Sequence, residues 1–438
     1  MIDLSLSERT DFMPGRKVAI LLAMLFLTSI LLSRSLDRAQ IAKPAEVRAP
    51  AEFFSGEDRQ DEASGLQVLR ITVSLPPEAF RKLQDTTNQY SNEHKSIYIE
   101  LENVPEEQSY DYLKSAAELG DTPDIMMVNH EVLQEFASLG FLQPVDTLLT
   151  NEAKAARLDI MMDQVRWNGY LWGIPVEADP YVLAWHKPSL EQLKLQPSVL
   201  TKEWWLRADT LLRNGASDTI PLYIQSSDPY AFISLIWALG GSWQENEINK
   251  LTFEDSRFYG GVTAAVQQGL AGYSDNEVWE FINLGKIKLM VTRLSDLKRN
   301  GGADVGYRSL GRSNVTRSGS LGGWIYGSSF ALSANTKLVE EARKWINAVG
   351  AESILAEYMD EGLLMPAVKS AWTFPRIASP NDKDGQALRQ GRVFEHQPDM
   401  KRKLDFLLLH LKKLGSGTPM EEFIIGLNQE WSPSQPHF

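Results

Sequence analysis

The stretch GYLWGIPVEADPYVLAWHKP, residues 169–188, decides the fold of this chain. A turn-like glycine opens it, and the apolar run that follows predicts a buried strand, yet Glu177 and Asp179 stand inside that run. Burying a carboxylate is costly unless the group is paired or hydrogen-bonded. We therefore expect the chain to turn at Asp179, which precedes Pro180, and polar groups from elsewhere in the chain or from a ligand to contact these carboxylates.

Strand-like and helix-like segments alternate on both sides of this stretch. LQVLRITVSL (66–75), SIYIELENV (96–104) and PDIMMV (123–128) predict strands, and helical patterns that open at Pro77 and stop at Gly120 separate them. The same alternation returns between residues 201 and 349. Such alternation predicts parallel sheets with helical crossovers, and 438 residues are too many for one core. We expect two α/β units.

Composition excludes several classes of protein and site. The formal charge of −13 without a long basic run argues against nucleic acid as a partner. The absence of cysteine excludes disulfides, cysteine-ligated zinc, iron–sulfur clusters and thiol catalysis. There is no phosphate-binding loop, no nucleophile elbow and no histidine pair at zinc spacing. The sequence therefore predicts no cofactor and no metal.

The N-terminal residues predict export. Arg16 and Lys17 precede the apolar run Val18–Leu32. This pattern fits either a cleaved signal peptide or a retained membrane anchor over residues 1–35, and both remain open. Residues 36–65 are rich in Ala, Pro and charge, which is typical of a flexible linker. Either alternative places the remainder outside the cytoplasm, secreted or anchored to the membrane.

Ligands of open parallel sheets bind beyond the carboxyl ends of the strands, so candidate site residues are sought there. Asn129, His130 and Glu131 follow the PDIMMV strand. A zinc helix is excluded because Gln134 stands where a second histidine would be needed. Two interpretations stay open, namely a helix cap built by Asn129 with Glu131 at the positive helix end, or contact with a ligand.

Later strand ends supply acidic and aromatic candidates. Ser227 or Asp228 fits a helix cap followed by Pro229, while Tyr230 could face a cleft. Trp324 follows two glycines, and two interpretations stay open, namely an exposed indole on a flexible loop or packing in the core. Aromatic faces beside carboxylates suit sugar rings, because C–H faces stack and hydroxyls donate to acidic oxygens. Other tryptophans, among them Trp345, fit the core or a helix surface.

Several segments follow one another in a characteristic order, among them TPDIMMVNHEVLQEFASLGFLQPVD, NGYLWGIPVEADPYVLAWHK, DPYAFISLIWALGG and SSFALSANTKLVEEARKWINAV. In these segments and their order, the chain resembles family 1 extracellular solute-binding proteins of ABC importers, whose best-known members bind maltodextrins. The resemblance implies a two-lobed periplasmic-binding-protein-like α/β fold whose hinge the chain crosses near Glu177, Ser328 and Pro366. The implied N-terminal lobe is 66–177 with 328–366, and the implied C-terminal lobe is 178–327 with 367–438.

The resemblance also implies a set of ligand contacts. Glu131 matches the family's acidic residue after a histidine, Tyr230 its aromatic residue after a proline, and Glu177 the acidic residue of its first hinge strand. Asp296 occupies a region where maltodextrin binders carry a tryptophan, and Val128 stands at another such position. The expected ligand set is Asn129, His130, Glu131, Glu177, Asp228, Tyr230, Asp296 and Trp324, with no catalytic residue.

We therefore expect an exported protein that closes on a small polar molecule, a sugar or oligosaccharide, and delivers it to ABC transporter permease subunits. Two alternatives remain open. One is a carbohydrate-active hydrolase that uses Glu177 and a second carboxylate. The other is a membrane-anchored sensor that uses the same lobes without transport.

Overall fold

The structure is a computed structural model, and it describes residues 67–197, 200–213, 218–244, 250–253, 255–311, 322–373, 382–393 and 397–431. The predicted leader (1–35) and linker (36–65) lie outside these residues. Across the described ranges, no helix combines the length and the apolar character needed to cross a membrane.

Strands in chain order are β1 (Gln67–Val73), β2 (Ile97–Asn103), β3 (Ile125–Asn129), β4 (Leu142–Gln143), β5 (Arg166–Trp167), β6 (Tyr170–Leu171), β7 (Ile174–His186), β8 (Ile220–Tyr223), β9 (Ser242–Gln244), β10 (Lys250–Thr252), β11 (Ile287–Arg293), β12 (Val305–Ser309) and β13 (Ile325–Ser333).

Helices in chain order are α1 (Pro77–Glu93), α2 (Glu106–Leu119), α3 (His130–Ser138), α4 (Asn151–Ala156), α5 (Asp159–Gln164), α6 (Lys187–Gln192), α7 (Lys202–Arg213), α8 (Pro229–Ala238), α9 (Tyr259–Gly269), α10 (Asp275–Asn283), α11 (Leu294–Asn300), α12 (Val339–Val349), α13 (Glu352–Asp360), α14 (Lys369–Thr373), α15 (Lys383–Gln390), α16 (Met400–Gly415) and α17 (Met420–Trp431).

Local sequence signals explain where the first elements begin and end. Pro77 opens α1, where a missing backbone N–H costs nothing. Gly120 closes α2 with a φ of 75°, a left-handed conformation that glycine adopts without strain. Every residue of α8 is buried, as its continuous apolar sequence predicts. These predicted elements are confirmed.

The strands form a mixed sheet path in the order β2-β1-β3-β13-β7-β11-β8, with β4 beside β13 and β12 beside β7. The predicted crossover strands are parallel, because β1 pairs in parallel with β2 and β3, and β11 does so with β8. The long strand β7 runs antiparallel to β13 over its first part, and to β11 and β12 over its second. It is therefore shared between two groups of strands.

Each group of strands has its own hydrophobic core. We call the group β1–β4, β13 and the first part of β7, with its helices, the N-terminal lobe. The second part of β7 with β8, β11 and β12 is the C-terminal lobe. Phe136, Met126 and Trp345 belong to the first core, and Phe232, Trp237 and Phe423 to the second. A third buried cluster covers the other face of the C-terminal strands and reaches the junction between the lobes at Ala178 and Met365.

Three chain segments lie side by side at the junction between the lobes. Glu177 of β7 is paired with Ser328 of β13, and the register shifts immediately beyond Ser328. On its other side Glu177 forms an isolated antiparallel bridge with Pro366. The three positions at which the resemblance implies hinge crossings are thus neighbours in space.

The expected turn at Asp179 is wrong. Strand β7 continues through Asp179 and Pro180 to His186, and Pro180 is paired with Ile325. Proline lacks a backbone donor but can occupy a strand where that donor is not needed. Asp179 is instead fully buried and receives hydrogen bonds from Ser295. Because Ser295 donates hydrogen bonds to the buried carboxylate, the chain can continue in the sheet at Asp179.

Replacing Trp345 by alanine tests the core of the N-terminal lobe. The side chain is fully buried and packs edge-on against Phe330, with 5.3 Å between ring centroids. We expect Trp345→Ala to lower the free energy of unfolding by about 3–5 kcal/mol, measured by urea denaturation. Leu119→Ala is the control, because Leu119 is exposed and should change stability by less than about 0.5 kcal/mol. Equal effects of the two substitutions would contradict this assignment of the core.

Candidate functional site

Side chains from both lobes meet next to the junction of β7, β13 and Pro366. We call this group the cleft cluster. It consists of Asn129, Glu131, Glu177, Tyr230, Arg293 and Tyr326.

The N-terminal lobe contributes the end of β3 and the first turn of α3. Asn129 stands at the cap position, but its side chain makes no capping bond. Its Oδ1 instead accepts a hydrogen bond from the Tyr326 hydroxyl at 2.7 Å. In the first turn of the helix, the Glu131 carboxylate lies close enough to the Tyr230 hydroxyl that each affects the pKa of the other. The capping interpretation of Asn129 is therefore wrong. Asn129 contacts an aromatic residue of β13, and Glu131 lies beside an aromatic residue of the C-terminal lobe.

His130 does not join the cleft cluster. It is buried, and its Nε2 lies 2.7 Å from the Ser329 hydroxyl. A Cβ at Gly327 would lie 2.5 Å from its Nδ1, so the imidazole packs directly against the backbone of β13 there. Gly327 and Ser329 face opposite to Tyr326 and Ser328 because side chains alternate along a strand. His130 thus packs on the side of the sheet away from the cluster.

The C-terminal lobe contributes the start of α8. Asp228 Oδ1 accepts from the backbone N–H groups of Tyr230 and Ala231, at 2.9 and 3.1 Å, so the predicted cap is confirmed. Its Oδ2 accepts from the Tyr181 hydroxyl at 2.7 Å. Asp228 therefore positions Tyr181 and the first turn of α8, and it lies behind Tyr230.

Aromatic rings line this side of the cleft. The ring of Tyr230 lies 5.0 Å from Trp324 and 5.8 Å from Tyr326, measured between centroids. Of the two interpretations of Trp324, the exposed loop is wrong and packing in the core is confirmed. Only 3% of Trp324 is accessible, it stacks on Trp237, and its backbone N–H donates to the Ser234 hydroxyl. Trp324 supports Tyr230 from the core.

Arg293 is a member of the cluster that sequence reasoning missed. It ends β11, and its guanidinium lies over the Tyr326 ring at 5.1 Å. It forms an ion pair at 3.1 Å with Glu106 of the N-terminal lobe. A search for polar side chains at the ends of strands could have identified it, because one residue alone separates Arg293 from the segment IKLMV.

Asp296 acts on the cluster through Arg293. Its Oδ2 accepts from Arg293 Nε at 3.1 Å, and its Oδ1 accepts from Arg299. The Arg293 guanidinium is therefore bound by Asp296 of the C-terminal lobe and by Glu106 of the N-terminal lobe. The predicted site residue Asp296 thus lies next to the cleft cluster, as a hydrogen-bond partner of Arg293.

Glu177 and Asp179 lie two residues apart on the same face of β7, as alternation requires. Glu177 accepts from the Ser328 hydroxyl at 3.0 Å. Asp179 accepts from the Ser295 N–H at 3.1 Å and from its hydroxyl at 2.5 Å. The half-buried carboxylate of Glu177 and the buried one of Asp179 are thus held on the hinge strand by serine donors and by the charge of Arg293.

Burial dominates the electrostatics of these carboxylates. It raises the pKa of Glu177 to about 8, and the charge of Asp179 adds to that effect while Arg293 opposes it. Burial raises the pKa of Asp179 to about 6 against the opposing charge of Arg293. It likewise raises the pKa of Asp228 to about 6 and that of Glu131 above its ordinary value, against hydrogen bonds from Tyr181 and Tyr230 respectively.

Arg293 behaves in the opposite way. Burial opposes its charge, but Glu106 and Asp296 outweigh that effect and raise its pKa well above the ordinary value. The guanidinium therefore stays charged. Within the described ranges, no group of three or more His, Asp or Glu side chains is placed to hold a metal ion. The chemistry on offer is hydrogen-bond acceptance by carboxylates and packing against aromatic faces.

Substitution of Glu177 should change how stability depends on pH. A carboxyl with a higher pKa in the folded chain binds more protons when folded, so the free energy of unfolding falls as pH rises from about 4.5 to about 8. We expect Glu177→Gln to reduce that fall and to stabilise the protein at pH 8. Urea denaturation at pH 5, 6, 7 and 8 measures it.

The charged groups around Glu177 are Asp179, Arg293 and Glu106, and all remain in the variant. Glu118→Gln, on the exposed surface of α2, is the control and should keep the wild-type pH profile. A Glu177→Gln profile parallel to that of the wild type would show that Glu177 is ionised at neutral pH.

Comparison with known proteins agrees with this architecture. The family model described as bacterial extracellular solute-binding protein matches residues 74–353. A maltotriose-binding protein of Pyrococcus abyssi (strain GE5 / Orsay) is 21% identical over 128 residues, which is 29% of this chain and 28% of that relative. The chain thus matches little more than a quarter of that relative's length.

Two solved structures share the fold over most of both chains. The GacH receptor of Streptomyces glaucescens GLA.O, whose structures include a complex with acarbose, has a TM-score of 0.68 and 16% identity, covering 84% of this chain and 97% of its own. An ABC transporter solute-binding protein of Thermotoga lettingae, bound to α-D-tagatose, has a TM-score of 0.69 and 13% identity, covering 83% and 98%. The two-lobed fold is confirmed, and the chain belongs to the bacterial extracellular solute-binding protein family.

Proposed function

We propose that this protein captures a sugar or oligosaccharide between its lobes and passes it to an ABC importer, without breaking a bond. The observation that carries the proposal is the meeting of carboxylate and aromatic side chains from two lobes beside a three-segment junction. Maltotriose, acarbose and tagatose are the ligands named for the similar proteins. A sugar offers the hydroxyl donors and apolar C–H faces that such a cleft would bind.

The ligand residues we propose come from both sides of the cleft. Glu131 and Asn129 of the N-terminal lobe would accept hydroxyls, Tyr230 would stack against the ring, and Glu177 would accept from the hinge. Asp228, Trp324 and Asp296 would position these groups, for the contacts described above. His130 faces the opposite side of the sheet, so we propose no ligand contact for it.

The mechanism we propose is hinge closure about β7, β13 and the segment at Pro366. Residues 66–177 with 328–366 would move as one lobe, and 178–327 with 367–438 as the other. A ligand that contacts both lobes binds the closed state more tightly and therefore shifts the population toward it. Permease subunits would recognise that closed state outside the cytoplasm, with residues 1–35 as a leader or an anchor.

Isothermal titration calorimetry with maltotriose, acarbose and tagatose tests the proposal. We expect at least one of them to bind, and Glu131→Gln to weaken that binding by roughly tenfold or more, because a charge-assisted hydrogen bond is lost. Glu100→Gln removes the same charge from the exposed strand β2 and should leave the affinity within about twofold.

Two results would contradict the proposal. One is the absence of binding to all three ligands. The other is the release of new reducing ends when the protein is incubated with maltotriose, which would favour the hydrolase that uses Glu177 and Asp179.

A further inference from the structure

The short helix α11 of the C-terminal lobe contacts two of the three chain segments at the hinge. In its first turn, the backbone N–H and the hydroxyl of Ser295 both donate to Asp179 of β7. Further along, it packs on the turn after α13, where Gly362 has a φ of 68° and a Cβ would lie 2.8 Å from the Lys298 Cβ. This close approach is possible because glycine has no Cβ and adopts a positive φ without strain.

The turn after α13 belongs to the N-terminal lobe. Leu363 and Leu364 form a buried cluster with Ala79 of α1 and Tyr358 of α13. The Tyr358 hydroxyl also donates to the Ala79 carbonyl at 3.4 Å. Pro366 of the hinge follows this cluster by two residues. A contact between α11 and this turn is therefore a contact between the lobes, made close to the hinge.

Two arginines of the C-terminal lobe reach across to the N-terminal lobe here. Arg293, at the end of β11, pairs with Glu106 of α2 at 3.1 Å. Arg299 of α11 donates from Nη1 to the carbonyl oxygens of residues 362 and 363, at 3.3 and 3.2 Å. The first contact adjoins the cleft cluster, and the second adjoins the hinge. Both link the same pair of lobes.

Asp296 binds both of these arginines. Its Oδ2 accepts from Arg293 Nε at 3.1 Å, and its Oδ1 accepts from Arg299 Nη2. The three side chains are between 15 and 24% exposed, so solvent screens their charges only in part. A carboxylate that accepts from two guanidinium groups fixes the orientation of both, and it offsets the repulsion between their like charges.

We propose that Asp296 and Arg299 are positioning residues for the closure of the lobes, although neither belongs to the cleft cluster. Asp296 keeps both guanidinium groups directed at the N-terminal lobe. Opening separates Arg293 from Glu106, so the closed state alone gains from that contact. The inference rests on the hinge closure of the proposed function, and it concerns the balance between open and closed states, not the identity of the sugar.

Pulsed electron spin resonance on the sugar-free chain, with spin labels at Asp111→Cys on α2 and Leu409→Cys on α16, tests the inference. Both positions are exposed. We expect Arg299→Gln to lower the ratio of short to long distances by about threefold, because one contact between the lobes is lost. Asp296→Asn should lower it by about tenfold, because both arginines lose a charged partner.

Lys298→Gln is the matched control. It removes one positive charge from the same helix, but Lys298 pairs within its own lobe, at 2.7 Å from Asp384, which also accepts from Tyr307 of β12. It should keep the wild-type ratio. A merely structural role of Asp296 and Arg299 would lower stability in urea without changing the ratio, and ratios in their variants equal to that of Lys298→Gln would overturn the inference.

Glu106→Gln keeps the test decisive where Asp296→Asn fails to fold. Glu106 is an exposed residue of the other lobe, and its loss should also lower the ratio, by about threefold. An unchanged ratio in Glu106→Gln would contradict the inference as well. Because no sugar is present, the result is separate from calorimetry. A chain that binds sugar while all three variants keep the wild-type distances would retain the proposed function and lose this inference.

Discussion

The structure depends on one strand that belongs to two sheets. Strand β7 pairs with β13 up to and including Pro180 and with β11 and β12 after it, so both lobes are tied to the same thirteen residues. Because side chains alternate along a strand, Glu177 and Asp179 must share a face at the crossing point. The position of the cleft follows from this, since the ends of β3 and β11 and the start of α8 all supply residues beside that crossing.

The carboxylates at the crossing can be buried because other polar groups of the chain donate hydrogen bonds to them. The Ser328 hydroxyl donates a hydrogen bond to Glu177. In the same way the Ser295 hydroxyl donates to Asp179, and the Tyr181 hydroxyl to Asp228. Contacts between the lobes also satisfy polar groups, namely Glu106 with Arg293 and Tyr230 with Glu131. These contacts stabilise a closed arrangement by themselves. A ligand must then replace them with better ones, because it can shift the balance between states only by its difference in affinity for them.

Much of the fold could be predicted from the sequence, because the signals that set it are local. Apolar periodicity predicts the strands and helices, Pro77 the start of α1 and Gly120 the end of α2. The strand end at Asn129 and the cap at Asp228 were found in the same way. The errors concern tertiary partners. Asp179 looked like a turn residue because Ser295, 116 positions along the chain, could not be recognised as its donor.

The same limit explains the other site residues. Trp324 follows two glycines, which suggested an exposed loop, but Trp237 and Tyr230 cover it. Arg293 was overlooked because the sequence does not show that its charge pairs with Glu106. Only the structure brings the two residues together.

Distances between the lobes test the central claim most directly. The chain has no cysteine, so Asp111→Cys on α2 and Leu409→Cys on α16 can carry spin labels on helices that meet where Lys401 lies over the Tyr110 ring, 4.8 Å from its centroid. Pulsed electron spin resonance should show two distance populations, with the shorter one enriched by the sugar that binds in calorimetry. A single distance that the bound sugar leaves unchanged would contradict closure about β7.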